Sequence, residues 1–346
     1  AALLPVVGRS DSERRLMINL VGPVWEGNQV WLITAGGAIF AAWPMLYATS
    51  FSGLYLAMML LLVVLILRPV GFKYRSKYEH TPWRNAWDAV LTSAGIVAPI
   101  VFGVAFANVI LGLPFDVESS SMRALYHGSF WELFTPFALF CGVLSLLMHI
   151  THGATLLAWR VVDPVASRAR RLGIVSAILV AILFALGGFW VAALDGHVIT
   201  STIDPNAASN PLNKTVALME GAWLTNFSKW PWLWIGPILG IVGALATSLF
   251  LALRRPITAF ITSATSIAGI ISTVGFAIFP FILPSSANPS IGLTVWDSSS
   301  SQLTLWVMLI ATAILMPIII SYTSYIYHIM RGKVSEEELN KTTNTY

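Results

Sequence analysis

The sequence predicts an all-α integral membrane protein, a polytopic helical bundle that forms a single membrane domain over residues 1–346. Three observations support this fold class. Hydrophobic residues make up 56% of the chain, only 10% of the residues are charged, and the apolar residues gather into runs long enough to cross a bilayer. Soluble domains carry about 25% charged residues. A polytopic membrane protein is therefore expected.

Eight apolar segments are long enough to span the membrane, since a hydrocarbon core of about 30 Å requires about 20 helical residues. The runs are continuous rather than alternating, which favours helices over the strands of a barrel. Helices also satisfy their backbone hydrogen bonds internally, as lipid requires. The predicted helices lie at about 21–42, 48–67, 88–110, 133–157, 173–195, 231–253, 257–283 and 304–328.

The distribution of Lys and Arg predicts the orientation. If the first residue lies in the cytoplasm, all but three of the 20 Lys and Arg residues fall on the cytoplasmic side; the exceptions are Arg123, Lys214 and Lys229. Basic residues accumulate in cytoplasmic loops. Both ends of the chain, including the tail 329–346, are therefore expected in the cytoplasm, and the longest loop, 196–230, outside. The same bias accounts for the net charge of +4 without a nucleic-acid partner.

The stretch GPVWEGNQVWLITAGG places Glu26, Asn28 and Gln29 about one turn into the first predicted helix. A charge within a membrane segment costs roughly 2.5–3.5 kcal/mol on insertion scales and usually faces protein or a water path. A carboxyl at this depth can take up a proton from the cytoplasm and pass it inward through water or amides. Alternatively, Glu26 is a solvated acid favoured by the helix dipole. Composition leaves both interpretations open.

Other polar residues carry weaker signals. His149 and His152 share one side of the fourth predicted helix, and a histidine pair can bind metal or heme. No Cys, Asp or Glu cluster accompanies them, so interfacial polar side chains are favoured. The single cysteine, Cys141, excludes an intrachain disulfide and a CxxC metal site. The sequence therefore predicts no metal site.

Two proline residues and a serine-rich run mark the last connection. Pro280 and Pro284 are expected to end the seventh predicted helix. Asp297 and residues 298–301 precede the eighth and are candidates for its N-cap. Since the chain contains no GxxxxGK[ST] loop, an ATP-driven pump is not supported.

Several sequence blocks together resemble subunit II of the cytochrome bd-type quinol oxidases. The resemblance covers essentially the whole chain, with the blocks in the family's order. They are GPVWEGNQVWLITAGGAIFAAWP, FSGLYLAMML, RPVGFKYRSK, RNAWD, GVAFANVILGLPF, DGHVITSTIDPNAASNPLNK, GAWLTNF, FPFILPSS and LTVWDSSSSQLTL.

The resemblance implies a subunit of an electrogenic quinol oxidase (EC 7.1.1 type) in the bacterial inner membrane, which oxidises quinol and reduces O2 to water. Subunit I of such a complex ligates hemes b558, b595 and d and binds quinol. Subunit II is expected to stabilise the complex, support heme assembly, provide a cytoplasmic proton path and, in some members, hold a structural quinone. Small single-helix accessory subunits are further expected partners.

The family's proton-path acid maps onto Glu26, within a W-[DE]-G-N-Q block that also includes Trp25, Asn28 and Gln29. Asn28 and Gln29 are expected to support proton transfer, and Trp25 to contact the structural quinone or the proton path. The family has nine helices, the first of which carries a DGFDMG-like motif. That helix is not seen in this sequence, so any acid that it supplies cannot be assigned.

Two other functions are considered beside the oxidase subunit. An ion-coupled secondary transporter could use Glu26 as its coupling acid, but it would be expected to have interrupted helices in matching positions of two halves. Only one acid-bearing interrupted segment is present, which favours the oxidase. A purely structural assembly subunit differs only in that Glu26 carries no protons.

Overall fold

The computed structural model describes residues 1–204 and 207–334. Pro205 in the predicted outside loop and residues 335–346 of the predicted tail, with Lys341, lie outside the described residues. The described part contains three two-stranded antiparallel sheets and these helices: α1 (Leu4–Val7), α2 (Asp11–Ala42), α3 (Pro44–Gly53), α4 (Tyr55–Tyr74), α5 (Thr81–Leu111), α6 (Pro136–Arg160), α7 (Val165–Ala192), α8 (Thr225–Lys229), α9 (Ile235–Ala252), α10 (Pro256–Ile278) and α11 (Gln302–Ile329).

Seven helices of the described chain are long and apolar enough to cross a membrane: α4, α5, α6, α7, α9 with the 3-10 turn before it, α10 and α11. The predicted all-helical membrane architecture is confirmed. The count of eight spans stays a prediction, because α2 is not among the seven. The predicted first span, 21–42, is the longer, C-terminal part of α2, called its second half below. The part before it, 11–20, called its first half, is rich in charged residues.

The second predicted segment, 48–67, lies across two helices, because α3 ends before Leu54 and α4 begins after it. α4 then continues through Pro69 to Tyr74, so Arg68 and Lys73 are helical rather than in a loop. One proline removes one helical hydrogen bond without ending a helix whose neighbours hold it. Long basic side chains near the end of a helix can also extend toward water.

The ends of the other helices follow local chemistry. α5 and α7 begin about two turns before the apolar runs at 88–110 and 173–195, because charged first turns extend beyond the predicted spans. α10 ends at Ile278, and Pro280 follows it. The last residues of the predicted segment 257–283 form a strand instead.

Four helices, α6, α7, α9 and α10, form the inner bundle. Small residues allow their backbones to approach closely, as in many membrane helix pairs. A Cβ atom added to Gly269 of α10 would lie 2.5 Å from the backbone nitrogen of Gly240 in α9. Similarly, a Cβ on Gly243 would lie 3.0 Å from Cα of Ser266. α5 packs beside the bundle, with Gly103 against the backbone at Cys141.

One end of the bundle is covered by a hairpin cap made of three short antiparallel pairs. Its pairs are β1 (Phe115–Val117) with β2 (Ala124–Tyr126), β3 (Asp195–Ile199) with β4 (Val216–Glu220), and β5 (Phe281–Leu283) with β6 (Leu293–Thr294). Large aromatic side chains fill the space below it, with Trp223 and Phe115 almost fully buried. The predicted loop 196–230 supplies β4 and most of β3.

The second half of α2 and the whole of α11 form the outlying pair, which makes little contact with the rest of the described chain. None of the apolar window of α11 is buried, and most α2 residues after Gly22 are exposed. The N–H of Ser300 bonds to the carbonyl of Ala42 at 2.8 Å, linking the beginning of α11 to the end of α2. The first half of α2, by contrast, is packed into the protein.

Candidate functional site

Glu26 lies on the outlying pair, in the middle of α2, and its side chain is exposed. Among the described residues, no hydrogen bond or ion pair of its carboxylate is observed. The neighbouring Trp25 instead packs on Phe72, near the end of α4, with ring centroids 5.9 Å apart. This contact places Glu26 close to the level at which the basic region of α4 ends.

The two amides beside Glu26 face different parts of the molecule. Successive residues of a helix are rotated by about 100°, so neighbours in sequence do not share a face. Asn28 accepts a hydrogen bond through Oδ1 from the Tyr327 hydroxyl of α11, at 2.9 Å. The Oε1 atom of Gln29 is buried without a hydrogen-bond partner among the described residues. Glu26, Asn28 and Gln29 therefore do not converge within this chain.

Arg68 of α4 is a further polar residue at this level. It lies one turn before Phe72, and its Nε atom, like Oε1 of Gln29, is buried without a hydrogen-bond partner in the described part of the chain. Its guanidinium lies 5.9 Å from the Phe72 ring centroid. The second predicted span ends at residue 67, so Arg68 was not expected within a helix. The Arg68 donor and the Gln29 acceptor thus lack hydrogen-bond partners among the described residues, in the same region as the exposed Glu26 carboxyl.

An ion-pair network holds the beginning of α2. Arg75 is fully buried and donates to both carboxylate oxygens of Asp88, at 2.5 and 2.8 Å, and to Asp11 at 2.8 Å. Arg14 also contacts Asp88, and Arg84 contacts Asp11. Burial alone would lower the pKa of Arg75, but the two carboxylates outweigh it and raise that pKa. α2, α4 and α5 are therefore joined by charge at this end.

Glu13 connects the same end of α2 to the inner bundle. Ser10 caps the helix by accepting from the N–H of Glu13, and the Glu13 carboxylate accepts in return from the N–H of Ser10. Arg168 of α7 donates to both carboxylate oxygens of Glu13, at 2.5 and 2.9 Å. That hydrogen bonding is the main reason why the pKa of Glu13 is lowered to about 2.

His149 and His152 do not converge on a common point. The Nδ1 atom of His149 lies 2.8 Å from the carbonyl oxygen of Ser145, within its own helix. The Nδ1 atom of His152 lies 3.1 Å from Oγ of Ser263 on α10. Among the described residues, no group of three or more His, Cys, Asp and Glu side chains is placed to hold a metal ion.

The cap predicted for the eighth helix divides into two roles. Ser301 is the N-cap of α11, where its hydroxyl accepts from the N–H of Thr304. Asp297 instead forms a buried ion pair with Lys214, with Nζ and Oδ2 2.7 Å apart, and accepts from the N–H of Thr294. Burial lowers the pKa of Lys214, and the Asp297 carboxylate opposes that shift. The N-cap prediction is right for Ser301 and wrong for Asp297 and residues 298–300.

The fold and this arrangement define a polytopic helical membrane protein with an ionisable group on an uncovered helix. Residues 1–330 match the family model described as cytochrome bd terminal oxidase subunit II. The chain belongs to this family. Membership implies a partner subunit I, hemes in the assembled complex, an oxidoreductase activity of that complex and a location in a bacterial membrane.

Curated relatives agree with this assignment. The chain is 49% identical over 340 residues to the cytochrome bd-I ubiquinol oxidase subunit 2 of Escherichia coli strain K12, covering 98% of this chain and 89% of that protein. It is 47% identical over 344 residues to the probable cytochrome oxidase subunit 2 of Haemophilus influenzae, covering 99% and 91%. Both similarities favour the oxidase interpretation over the secondary transporter.

A solved structure shows the same fold. The structure of bd oxidase from Geobacillus thermodenitrificans matches with a TM-score of 0.64 and 16% sequence identity, covering 91% of this chain and 86% of that chain. At this identity the likeness concerns the fold alone. The predicted resemblance and the predicted helical membrane fold are both confirmed.

Proposed function

We propose that this chain docks on the heme-bearing subunit I of a bd-type quinol oxidase in the bacterial inner membrane, and that Glu26 takes up protons from the cytoplasm for O2 reduction to water. The observation that carries the proposal is the exposure of Glu26 on the outlying pair. A charged group facing lipid is costly, and such groups normally face protein or a water-filled cavity. A partner subunit would supply that environment.

The same docking would complete the neighbouring polar atoms. Oε1 of Gln29 and Nε of Arg68 have no hydrogen-bond partner in the described chain, and buried polar groups are rarely left so. α11 also supports docking on this side of the chain, because none of its apolar stretch is buried by the described residues. Asn28 has a different part: its bond to Tyr327 connects α2 to α11, so it supports the geometry of the proton path.

Hemes b558, b595 and d are assigned to subunit I. In this chain, the Nδ1 atoms of His149 and His152 face Ser145 and Ser263. The chain supports the hemes indirectly by stabilising the complex. Trp25 offers an indole that packs at a tilt on Phe72, and its apolar face could contact a structural quinone ring. Small single-helix subunits would cover further apolar helix surface.

The cytoplasmic orientation of both ends rests on the distribution of basic residues and on the ion pairs. The end of the molecule that holds Arg14, Arg75, Arg84 and Arg168 also holds the beginning of α2. Positively charged ends are retained in the cytoplasm. Glu26 then lies within reach of cytoplasmic protons, and the loop 196–230 lies outside.

The test compares Glu26→Gln with Glu26→Asp in the purified complex. Glutamine keeps the size of the side chain but cannot carry a proton, so quinol oxidase turnover is expected to fall by tenfold or more, on the scale of general acid–base effects of about 10²–10⁴-fold. Aspartate keeps the carboxyl and should retain much of the turnover. Heme content, measured from the absorption spectrum, should be nearly unchanged in both variants.

Other outcomes separate the alternatives. Full turnover and full proton uptake in Glu26→Gln would show that Glu26 carries no protons, leaving a structural subunit. Loss of heme in both variants would make Glu26 an assembly residue. Substrate transport by the chain without subunit I would instead support the secondary transporter.

A further inference from the structure

We propose that the centre of the inner bundle binds one water molecule, in a site lined by the hydroxyl groups of Thr151, Thr247, Ser263 and Ser266. These residues line a small cavity between α6, α7, α9 and α10, together with the apolar side chains of Met148, Val180, Ala244 and Ile267. The site is separate from Glu26 and does not depend on the function proposed for that residue.

The size of the cavity fits this ligand. About 10 Å3 is open to the centre of a water-sized sphere, and about 10–15 Å3 measured in this way is the minimum that holds a water. The four hydroxyl-bearing residues are each at least nine-tenths buried. Empty cavities in proteins are typically apolar, whereas polar ones of sufficient size hold water with two to four partners.

The hydrogen bonds already present leave acceptors at the cavity. Thr151 donates its hydroxyl proton to Ser176 of α7 at 2.8 Å. Thr247 donates to the carbonyl of Gly243, and Ser266 to the carbonyl of Gly240, both at 2.7 Å. The Thr247 oxygen also lies 3.0 Å from the Thr262 hydroxyl, whose proton goes to the carbonyl of Ala259. Each hydroxyl oxygen can also accept. The hydroxyl oxygens of Thr151, Thr247 and Ser266 can therefore accept a hydrogen bond at the cavity but not donate one. A water molecule has two O–H groups to donate.

Ser263 can supply the complementary donor. Its Oγ lies 3.1 Å from Nδ1 of His152. When His152 carries its proton on Nδ1, that N–H donates to Ser263 and leaves the serine proton free for the cavity. The water then donates to Thr151 and Thr247 and accepts from Ser263, with Ser266 beside it. These three bonds are the usual number for a buried water.

The placement gives the water a structural task in lipid. Thr151 lies nine residues before the end of α6, which is about 13 Å along the helix, so the cavity is well inside the membrane-spanning part. Hydrogen bonds between membrane helices stabilise their packing. One water bonded to α6, α9 and α10, and through Thr151 to Ser176, connects all four helices at one point.

The test removes two of the four hydroxyl groups that line the cavity, with little change in its shape. Thr151→Val and Thr247→Val, singly and together, replace each hydroxyl by a methyl group of similar volume. A high-resolution cryo-electron microscopy map of the assembled wild-type oxidase is expected to show a water peak in contact with Thr151, Thr247 and Ser266. In the double variant, that peak should be lost. The matched control is Thr265→Val on α10, whose hydroxyl bonds to Ile261 and does not line the cavity.

Met148 provides a second measurement that needs no map. X-ray pulses split bound water into hydroxyl radicals, which oxidise adjacent methionine. Met148 lines the cavity, whereas the equally buried Met17 does not. In the wild-type complex Met148 should be oxidised and Met17 spared; the double variant should lose the Met148 signal. A map that resolves other buried waters but not this one, or a Met148 signal that survives in the double variant, would overturn the proposal. If the double variant does not assemble, either single variant answers the question.

Discussion

The two halves of α2 meet the needs of their polar groups in opposite ways. In the first half, Asp11, Glu13 and Arg14 pair with charged residues of α4, α5 and α7. In the second half, Glu26 is exposed and Gln29 has an unpartnered oxygen within the described chain. The charged groups in the first half of α2 are thus paired within the chain, whereas Glu26 and the Gln29 oxygen in the second half have no partner among the described residues. Substitutions in the first half should therefore affect the chain itself, and those in the second half the complex.

The largest expected effect comes from breaking the buried network that holds the first half. Arg75→Met leaves Asp88, which is only 7% exposed, with Arg14 as its remaining ionic partner. Removing one member of a buried pair costs about 3–5 kcal/mol, and the remaining arginine favours the lower end of that range. Thermal unfolding of the purified chain and of the complex should both show the loss.

Arg84→Met is the matched control for Arg75→Met. Arg84 also contacts Asp11, but both groups are partly exposed, and exposed pairs contribute about 0–1 kcal/mol. Equal losses of stability in the two variants would mean that burial of Arg75 is not what stabilises this end of α2.

A smaller effect is expected from the pH dependence of the Glu13–Arg168 pair. The pKa of Glu13 is lowered from 4.5 to about 2, so the folded protein favours the ionised carboxylate. The stability from this pair is fully present above about pH 4.5 and is lost as the pH falls toward 2. Unfolding followed in detergent between pH 6 and pH 2 should show this loss.

Glu13→Gln provides the comparison for that titration. The variant should be less stable than the wild type above about pH 4.5 and should approach it at low pH, because the ionised group is then absent in both. Parallel curves over the whole range would show that Glu13 does not titrate as the structure requires.

The smallest effect is expected where the second half of α2 contacts α11. Tyr327→Phe removes the single hydrogen bond to Asn28, which is expected to contribute about 0.5–1.5 kcal/mol. A double-mutant cycle with Asn28→Ala, measured by unfolding of the complex, isolates this interaction. A coupling near zero would mean that the bond does not hold α11, and a loss as large as that of Arg75→Met would remove the contrast between the two halves.

The sequence predicts features that depend on one segment, such as helices and caps. It does not predict contacts between distant segments, such as ion pairs. The apolar runs identify the seven helices of the described chain that can span the membrane, and the serine run identifies the cap at Ser301. The partner of Asp297 could not be predicted, because Lys214 comes from a distant loop. Likewise, Arg75 looks like any basic loop residue until Asp11 and Asp88 are brought beside it by three helices.

In the candidate site too, contacts between helices could not be predicted from the sequence. The sequence marks Glu26, Asn28 and Gln29 as a group because they are adjacent, but helical rotation sends Asn28 to α11 and leaves Glu26 exposed. Arg68 was missed because the apolar run that predicts this helix ends at residue 67. Whether a polar side chain is satisfied depends on the neighbouring helices, and the sequence does not specify their arrangement directly.

The pairing of Lys214 with Asp297 has a consequence for the order in which the protein can be built. This ion pair and the bond from Ser209 to the carbonyl of Ser299 tie the loop after β3 to the residues that lead into α11. The loop is synthesised well before α11, because the chain is made from its N-terminus. α11 therefore enters the membrane after Ser209 and Lys214 have been synthesised. A substitution in that early loop would then change the position of a helix about 90 residues further along the chain.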